Sequence, residues 1–391
     1  MGMRLGLGPL AEACRALGHP ERAFDVVHVA GTNGKGSVSA MVASIARAQG
    51  IRTGLYTSPH LSRFAERIQI DGQPIEDAQL APLLADTLAR APELTFFEVA
   101  TLAALRSFRD ARVELAVLEV GLGGRLDATN VVPTPRAAAI TRIALDHTHH
   151  LGTTLEAIAR EKAGIAKPGL EIVLGPLAPE ARAAIEQIAH AKGATTRSAD
   201  ADPEATAFAE TAVVGLEGAH QRDNARIAYV LGERIGATRA ARTRGIAEVR
   251  WPGRLETIRT DRGDVLLDAA HNPDGTAALA RHLVTLGVSS FGLALVFGVL
   301  VDKAWEEMID GLAGFSPHRY YVSPTGRAAV DVVSLAARHV GKSASTVAEA
   351  LSLARAAVGE RGLVVVCGSI LLVGEARATL LGLPRDPPVA M

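Results

Sequence analysis

Cysteine, net charge and long apolar runs are all scarce in this sequence, and each shortage excludes a class of protein. The two cysteines among its 391 residues, Cys14 and Cys367, lie far apart and lack the spacing of metal ligands. We expect them to be reduced thiols of a cytoplasmic protein. The net charge of −1 and the isoelectric point of about 6.9 provide no overall field that would attract nucleic acid or an anionic membrane.

The most apolar stretch, Leu363–Val373, is too short to cross a membrane. It falls short of the ~20 residues that a spanning helix needs, and Gly368 and Ser369 interrupt it. It fits a buried strand that runs into a turn instead. At the N-terminus, Met1–Gly6 contains no apolar run of the kind found in signal peptides. We therefore expect no membrane insertion.

What the sequence does contain is an alternation of short apolar runs with amphipathic segments. Hydrophobic residues make up 48% and charged residues 21%, as in ordinary soluble proteins, and the length favours two domains. Strands interleaved with helices predict an α/β fold with a doubly wound sheet. In the first part, the predicted strands are Phe24–Ala30, Leu115–Val120, Ala137–Thr141 and Glu171–Leu174, and the predicted helices are Val38–Ala48 and Thr154–Ala163.

The alternation restarts late in the chain, after Pro and Gly at Trp251–Arg254 break the periodicity. We predict a large N-terminal domain over residues 1–252, a linker over 253–261 and a smaller Rossmann-like domain over 262–391. The late predicted strands are Asp264–Asp268, Leu293–Phe297, Arg319–Val322 and Leu363–Cys367, with helices at Gly275–Leu286, Asp302–Gly311 and Val347–Val358.

The strongest chemical motif is a glycine-rich loop at His28–Val38, between the first predicted strand and helix. Such a turn places backbone N–H groups and a helix N-terminus around a phosphate. Lys35 would neutralise phosphate oxygens, and the Ser37 hydroxyl would reach a metal ion. The loop departs from the common form, because Val29 stands where a glycine is expected and Gly36 separates Lys35 from Ser37. The alternative to a P-loop ATPase domain is a strand–helix turn that binds nothing.

Glu119 ends an otherwise apolar strand, where a carboxylate points into the crevice in which α/β proteins bind ligands. An oxygen ligand at this place suits Mg²⁺ that bridges nucleotide phosphates. The structural alternative is a salt bridge between Glu119 and Arg125.

Two further residues of the first domain are ambiguous. His147 follows a predicted strand and could be a metal ligand or a loop histidine. Lys162 lies in the helix that begins near Thr154 and could be a solvated surface lysine. Carbamylation would instead turn its amine into an anionic oxygen ligand.

Polar residues also follow predicted strands in the second domain. Asp268 and His271 would face the crevice between the domains. As alternatives, Asp268 could cap the next helix and His271 could be an ordinary loop residue. The strand-to-helix turn Cys367–Ile370 could bind a carboxylate through backbone N–H groups.

Together these motifs resemble the bacterial folylpolyglutamate synthase family, which is often bifunctional with dihydrofolate synthase and belongs to the Mur-ligase-like superfamily. The resemblance runs from about Leu5 to Arg377, and Gly36 matches the family's own form of the loop. The matching segments are His28–Val38, Thr57–Leu61, Glu66–Arg67, Thr95–Glu98, Glu119–Asn130, Asp146–Lys162, Pro252–Arg254, Asp268–Pro273 and Gly368–Ser369.

The resemblance implies a cytoplasmic, monomeric ligase that uses ATP and two Mg²⁺ ions to join L-glutamate to a folate or to dihydropteroate. It implies catalytic roles for Lys35, for Lys162 at the position carbamylated in the family, and for His271. The implied ATP contacts are Thr32, Asn33, Gly34, Lys35, Gly36, Ser37, Asn224, Arg254 and Asp268. The implied metal ligands or near-ligands are Ser37, Ser58, Glu119, His147 and Lys162. The implied pteroate pocket contains Thr95, Phe96, Phe97, Glu98, Leu126 and Asp127, and the glutamate lies near His271 and Ser369.

Two other functions stay open at this point. A Mur-type peptidoglycan ligase shares the loop and the reaction type, although Thr95–Glu98, Asp268–Pro273 and the absence of an additional UDP-binding domain argue against it. A nucleotide-binding module without ligase chemistry is the other. Family members usually carry a further helix and loop before the segment that matches Leu5–Leu7. We therefore expect either a misassigned start or a dihydropteroate contact that is built differently.

Overall fold

The computed structural model describes residues 6–387, which divide into two units. The first comprises the residues up to Pro59, Ala65–Gly215 and His220–Arg250, and the second comprises His60–Phe64, Leu216–Ala219 and the residues from Trp251 onward. Two terminal segments, Met1–Leu5 and residues 388–391, lie outside the described residues. The expectations about a signal peptide and about the start site concern the first of these segments.

The first unit is built on an eight-stranded sheet. Its strands are β1 (Asp25–Ala30), β2 (Thr53–Tyr56), β3 (Ile68–Ile70), β4 (Gln73–Pro74), β5 (Leu115–Glu119), β6 (Ala137–Ile140), β7 (Glu171–Leu174) and β8 (Thr195–Ser198). They lie in the order β4-β3-β2-β5-β1-β6-β7-β8. Pairing is parallel from β2 to β8 and antiparallel in β2–β3 and β3–β4. The central strands are continuous apolar runs because helices cover both faces of a parallel sheet.

The helices of the first unit are α1 (Gly8–Ala16), α2 (Lys35–Ala48), α3 (Asp77–Arg90), α4 (Phe96–Asp110), α5 (Thr148–Leu151), α6 (Leu155–Ala163), α7 (Pro179–Ala191), α8 (Pro203–Thr211), α9 (His220–Arg234) and α10 (Arg239–Glu248). Helix α2, which follows the glycine-rich loop, is buried from Gly36 to Ala46. Gly245 of α10 lets that helix approach closely, since a Cβ there would lie 2.5 Å from the backbone of Ile45.

The second unit is built on a six-stranded sheet. Its strands are β9 (Glu256–Thr260), β10 (Gly263–Leu267), β11 (Leu293–Phe297), β12 (His318–Tyr321), β13 (Lys342–Ser343) and β14 (Leu363–Cys367), in the order β13-β12-β11-β14-β10-β9. Its helices are α11 (Pro273–Leu286), α12 (Trp305–Ala313), α13 (Val332–Arg338), α14 (Val347–Val358) and α15 (Ile370–Leu381). Alternate residues of β14 enter two separate apolar clusters, Val364 and Val366 in one and Val365 and Cys367 in the other. The sheet is therefore covered on both faces.

The predicted strands and helices are present with small shifts at their ends. The predicted linker at 253–261 differs, because it contains β9, which pairs antiparallel with β10. Only Ile258 of β9 is buried, so this edge strand lacks the apolar run that marks the predicted strands. The strands β2, β3, β4, β8 and β13 were also not predicted. Cys14 and Cys367 are both buried free thiols. Across residues 6–387, no helix combines the length and the apolar character needed to cross a membrane.

Candidate functional site

The glycine-rich loop between β1 and α2 has a backbone that requires glycine at two positions. Gly31 and Gly34 adopt φ values of 147° and 88°. A Cβ on Gly31 would lie 1.9 Å from Thr141 Oγ1, and one on Gly34 would lie 2.5 Å from Asn224 Oδ1. Gly34 also precedes the first residue of α2, so the loop leads directly to a helix N-terminus. This arrangement favours anion binding.

Neighbouring segments hold the loop in place. The Thr32 N–H donates to Arg142 O at 2.7 Å, and Thr32 Oγ1 lies 3.1 Å from both the N and the O of Ala144. The Thr141 hydroxyl donates to Asn33 O at 2.7 Å. Because these partners follow β6, the strand next to β1, hydrogen bonds from the neighbouring strand's end hold the loop.

Lys35 and Ser37 begin the helix that follows. Lys35 Nζ donates to Thr32 O at 3.0 Å, which folds the ammonium group back over the loop. Ser37 Oγ lies 3.3 Å from Gln221 Nε2, and Gln221 Oε1 accepts from Asn224 Nδ2 at 2.9 Å. Sequence reasoning missed Gln221. The spacing of three residues between Gln221 and Asn224 was the available signal, since it places both on one face of a helix.

Glu119 and Ser58 lie together at the carboxyl ends of two adjacent parallel strands, β5 and β2. Glu119 is buried, and its Oε2 accepts from the Ser58 N–H at 3.1 Å. Arg125 pairs instead with Glu161, with 3.0 Å between Nη2 and Oε1. The alternative of a Glu119–Arg125 salt bridge is therefore wrong.

His147 occupies a strained position just before α5, with φ of 51°. Its N–H donates to Asp146 Oδ1 at 2.8 Å, and its Nε2 lies 3.9 Å from the same oxygen. Among residues 6–387, no group of three or more His, Cys, Asp or Glu side chains is arranged to hold a metal. Mg²⁺ bound with nucleotide phosphates commonly uses only one or two protein carboxylates. Glu119 and the serine hydroxyls offer the oxygen donors of that mode. His147 offers a nitrogen instead, and its role as a ligand stays a prediction.

Lys162 is buried in α6, so the surface-lysine alternative is wrong. Burial, with a smaller contribution from the charge of Lys35, lowers the pKa of Lys162 from 10.5 to about 7, against the opposing effects of Asp146 and Asp127. A substantial fraction of this amine is therefore neutral near pH 7. A neutral amine is the form that reacts as a nucleophile.

The Thr95–Glu98 segment starts α4 with a capping box. The Thr95 N–H and Oγ–H both donate to Glu98 Oε2 at 2.8 Å, and the Glu98 N–H returns to Thr95 Oγ1 at 3.4 Å. The guanidinium of Arg67 lies 5.7 Å from the centre of the Phe96 ring. Thr95 and Glu98 thus have a structural role as the cap of α4, and the predicted pteroate contacts of this segment stay predictions.

Asp127 organises the loop that follows β5. Its Oδ2 accepts from the Leu122 N–H at 2.8 Å, and its Oδ1 accepts from the Thr129 N–H at 3.0 Å and the Thr129 hydroxyl at 2.5 Å. Burial raises the pKa of Asp127, while these hydrogen bonds lower it. Leu126 beside it is partly exposed.

In the second unit, Asp268 follows β10 directly. It is buried, and it accepts from the Leu255 N–H at 2.9 Å and the Ala270 N–H at 3.0 Å. Burial raises its pKa. The alternative that Asp268 caps the next helix is wrong, because Asn272 does so by accepting from the Gly275 N–H at 2.8 Å.

The other candidates of the second unit lie in neighbouring turns. His271 Nδ1 lies 2.9 Å from Ala269 O, and Arg254 donates from Nη1 to Gly253 O at 3.1 Å. Ser369 is buried and caps α15, accepting from the Leu371 N–H at 3.2 Å. The strand-to-helix turn at Cys367–Ile370 is therefore confirmed. Since β10 and β14 are adjacent and parallel, Asp268 and Ser369 share one edge of the sheet.

Comparison with known proteins identifies the family. Residues 29–221 match the Mur ligase middle domain, and residues 253–370 match the Mur ligase, glutamate ligase domain. The folylpolyglutamate synthase of Lacticaseibacillus casei is 36% identical over 404 residues, which cover 94% of this chain and 92% of that protein. The chain belongs to the folylpolyglutamate synthase/dihydrofolate synthase family.

Solved structures of the folylpolyglutamate synthase/dihydrofolate synthase family share the fold. Escherichia coli FolC in complex with DHPP and ADP has a TM-score of 0.88 at 30% identity, covering 97% of this chain and 94% of that chain. A bifunctional folylpolyglutamate synthase/dihydrofolate synthase with Mn, AMPPNP and L-glutamate bound has a TM-score of 0.86 at 31% identity, covering 97% and 95%.

The expected family and the expected fold class, a P-loop α/β domain followed by a Rossmann-like domain, are thereby confirmed. Like its relatives in the folylpolyglutamate synthase family, the chain is an ATP-dependent ligase of the Mur type. The domain boundaries and the roles assigned to single residues stay predictions.

Proposed function

We propose that this chain adds L-glutamate to the carboxylate of folates and also converts dihydropteroate to dihydrofolate. The observation that carries the proposal is the ordered loop Gly31–Ser37, in which glycine geometry, a helix N-terminus and Lys35 converge on one small volume. The relatives named for these two activities supply the substrate class.

The chemistry of amide formation explains why such a loop is needed. A carboxylate is a poor electrophile, so the γ-phosphoryl group of ATP is first transferred to it, which gives an acyl phosphate and ADP. Loop amides and Lys35 stabilise the charge on the transferring group. The amine of glutamate then attacks the acyl carbon, and phosphate leaves. Exclusion of water protects the acyl phosphate from hydrolysis.

We further propose that two Mg²⁺ ions accompany the nucleotide. Ser37, Ser58, Glu119, His147 and a carbamylated Lys162 would hold them, and the ions would neutralise charge on the phosphate oxygens. The pairing of Ser58 with Glu119 and the lowered pKa of Lys162 support this assignment. Asn224, Arg254 and Asp268 would complete the ATP contacts.

The acceptor and the amino acid would use different residues. Phe96, Phe97, Leu126 and Asp127 would contact the pteroate, while Thr95 and Glu98 shape the start of α4. His271 and Ser369 would lie near the glutamate. We propose that one chain carries the activity as a monomer, since every role above falls on a residue of this chain. We also propose that it acts in the cytoplasm.

A phosphate-release assay tests the proposal. The protein is given ATP, Mg²⁺ and L-glutamate with one acceptor at a time: a reduced folate, dihydropteroate or a UDP-muramoyl substrate. We expect phosphate release that requires both glutamate and a pteridine acceptor. Turnover with the UDP-muramoyl substrate alone would indicate a peptidoglycan ligase, and nucleotide binding without turnover of any acceptor would indicate a module without ligase chemistry.

A further inference from the structure

His28 is a fully buried, titratable side chain to which neither the motifs nor the proposed reaction gives a role. It lies in β1, three residues before Gly31, and has no exposed surface. Its Nε2 lies 2.8 Å from Thr129 Oγ1, a residue 101 positions later in the chain. Burial, and to a smaller extent the charge of Lys167, lowers the pKa of His28 from 6.5 to about 3. The imidazole is therefore neutral.

The hydrogen bonds of Thr129 determine which ring nitrogen carries the proton. The Thr129 hydroxyl donates to Asp127 Oδ1 at 2.5 Å, and the other carboxylate oxygen already accepts from the Leu122 N–H. A hydroxyl has a single proton, so Thr129 Oγ1 can only accept from His28. With Asp127 ionised, Nε2 must therefore be the donor. Nδ1 is buried, and the described part of the chain offers it no hydrogen-bond partner, which suits an unprotonated nitrogen.

These contacts form a short chain between two loops. His28 is part of the strand that continues into the phosphate loop at Gly31. Asp127 and Thr129 belong to the loop Gly121–Asn130, here called the Asp127 loop. Within that loop Asp127 bonds both Leu122 and Thr129. The contact between His28 and Thr129 therefore connects the Asp127 loop to β1, the strand that leads into the phosphate loop.

We propose that His28 is a positioning residue that aligns the acceptor side of the site with its phosphate side, by donating from Nε2 to Thr129. The part of this inference that concerns the acceptor rests on the proposed function, because Asp127 is a proposed pteroate contact. The contact itself and its tautomer do not depend on that function. If His28 merely filled the core, its replacement would lower stability and would affect acceptor binding and nucleotide binding to the same extent.

The tautomer is tested by nitrogen NMR on the whole chain labelled at histidine, with the His28 signals assigned by their loss in His28→Gln. We expect a protonated Nε2, an unprotonated Nδ1 and no titration between about pH 5 and pH 8. A proton on Nδ1, or titration near the ordinary value of about 6.5, would overturn the proposal.

The positioning role is tested with three variants and a control. His28→Leu and Thr129→Val remove the bond, His28→Gln keeps an N–H donor near the position of Nε2, and Val173→Ala is a control for lost packing in the same sheet. We expect both bond-removing variants to raise the KM for the pteridine acceptor about tenfold, with the Kd for ATP changed less than about twofold. His28→Gln should recover most of the loss.

Thr129→Val also removes the hydroxyl bond to Asp127 and should be the poorer single variant. The double variant His28→Leu/Thr129→Val should be no worse than Thr129→Val, in KM and in thermal stability, because Thr129→Val has already lost the bond that His28→Leu removes. Additive losses, an unchanged acceptor KM, or a loss that Val173→Ala reproduces would overturn the proposal. Glutamylation by the wild type would still support the proposed function in that case. If the wild type glutamylates no acceptor, the proposed function is wrong. The His28 tautomer and the thermal stabilities of the single and double variants still test the bond between His28 and Thr129.

Discussion

The carboxyl edges of the two sheets carry similar residue types and use them differently. At the edge of the eight-stranded sheet, polar side chains reach between elements: Thr141 bonds the loop after β1, Ser58 bonds Glu119, and Gln221 of α9 reaches Ser37. At the edge of the six-stranded sheet, Asn272 and Ser369 cap the helices that follow them. The polar side chains of the first edge therefore link separate elements, while at the second edge Ser369, a candidate glutamate contact, is also the cap of its own helix. Substitutions should separate activity from stability at the first edge and couple them at the second.

The largest effect is expected at the first edge, for Lys35→Ala. Removing the ammonium that folds over the loop should lower kcat/KM for amide formation by about a thousandfold or more, since charge stabilisation of a transferring phosphoryl group is lost. The melting temperature should stay within a few degrees of the wild type. Lys342→Ala, at an exposed position in β13, is the matched control. Retained activity in Lys35→Ala would contradict the assignment of the phosphate loop.

Glu119→Gln tests the proposed metal contact. Gln keeps an oxygen that can accept from the Ser58 N–H and removes the charge, so the fold should be preserved. The Mg²⁺ concentration for half-maximal activity should rise about 10- to 100-fold. Glu156→Gln, an exposed position on α6, should leave it unchanged. If both variants keep the wild-type Mg²⁺ dependence, Glu119 is not a metal ligand.

Lys162→Met tests the electrostatics of the first edge through stability. The folded-state pKa of Lys162, about 7, lies below the ordinary 10.5, so between these values the unfolded chain binds a proton that the folded protein has lost. The stability contributed by Lys162 is therefore smallest below pH 7 and rises with pH across that window, by at most about 1.4 kcal/mol per pH unit. In buffer free of carbon dioxide, the wild type should gain melting temperature relative to Lys162→Met from about pH 7 to pH 9. A difference that does not vary with pH would contradict the buried-amine account.

The smallest effect is expected at the second edge. Ser369→Ala removes the cap of α15 and should lower the free energy of unfolding by about 1 kcal/mol. Ser369→Asn supplies another capping side chain and should keep most of the wild-type stability. Both variants should also raise the KM for glutamate, because the hydroxyl is a proposed contact. Denaturant unfolding and glutamate titration measure the two effects separately. A loss of stability with an unchanged glutamate KM would leave Ser369 as a cap and remove it from the glutamate site.

How much the sequence predicts depends on how local each feature is. The phosphate loop was predictable because its requirements are local: Gly31 and Gly34 need positive φ, and the strand before them and the helix after them have clear patterns. The roles of Glu119 and Asp268 as strand-end carboxylates follow from the same kind of pattern. Both carboxylates are buried at the strand ends where the sequence predicted them.

Features that depend on distant contacts were not predictable. The burial of Lys162 requires Gly124, where a Cβ would lie 2.9 Å from the Lys162 carbonyl oxygen, so the loop after β5 packs directly on α6. Gln221 reaches Ser37 across 184 residues. The edge strand β9 escaped notice because an edge strand buries few residues. In each case the deciding partner lies in another element.

The fate of oxygen tests the central claim, that the chain activates a carboxylate by phosphorylation, most directly. A folate acceptor is labelled with the heavy isotope of oxygen in its terminal carboxylate and incubated with the enzyme, ATP, Mg²⁺ and L-glutamate. The account predicts that one labelled oxygen appears in the released phosphate, because the acyl phosphate breaks at the acyl carbon when the amine attacks. Amide formation with no label in the phosphate would contradict it.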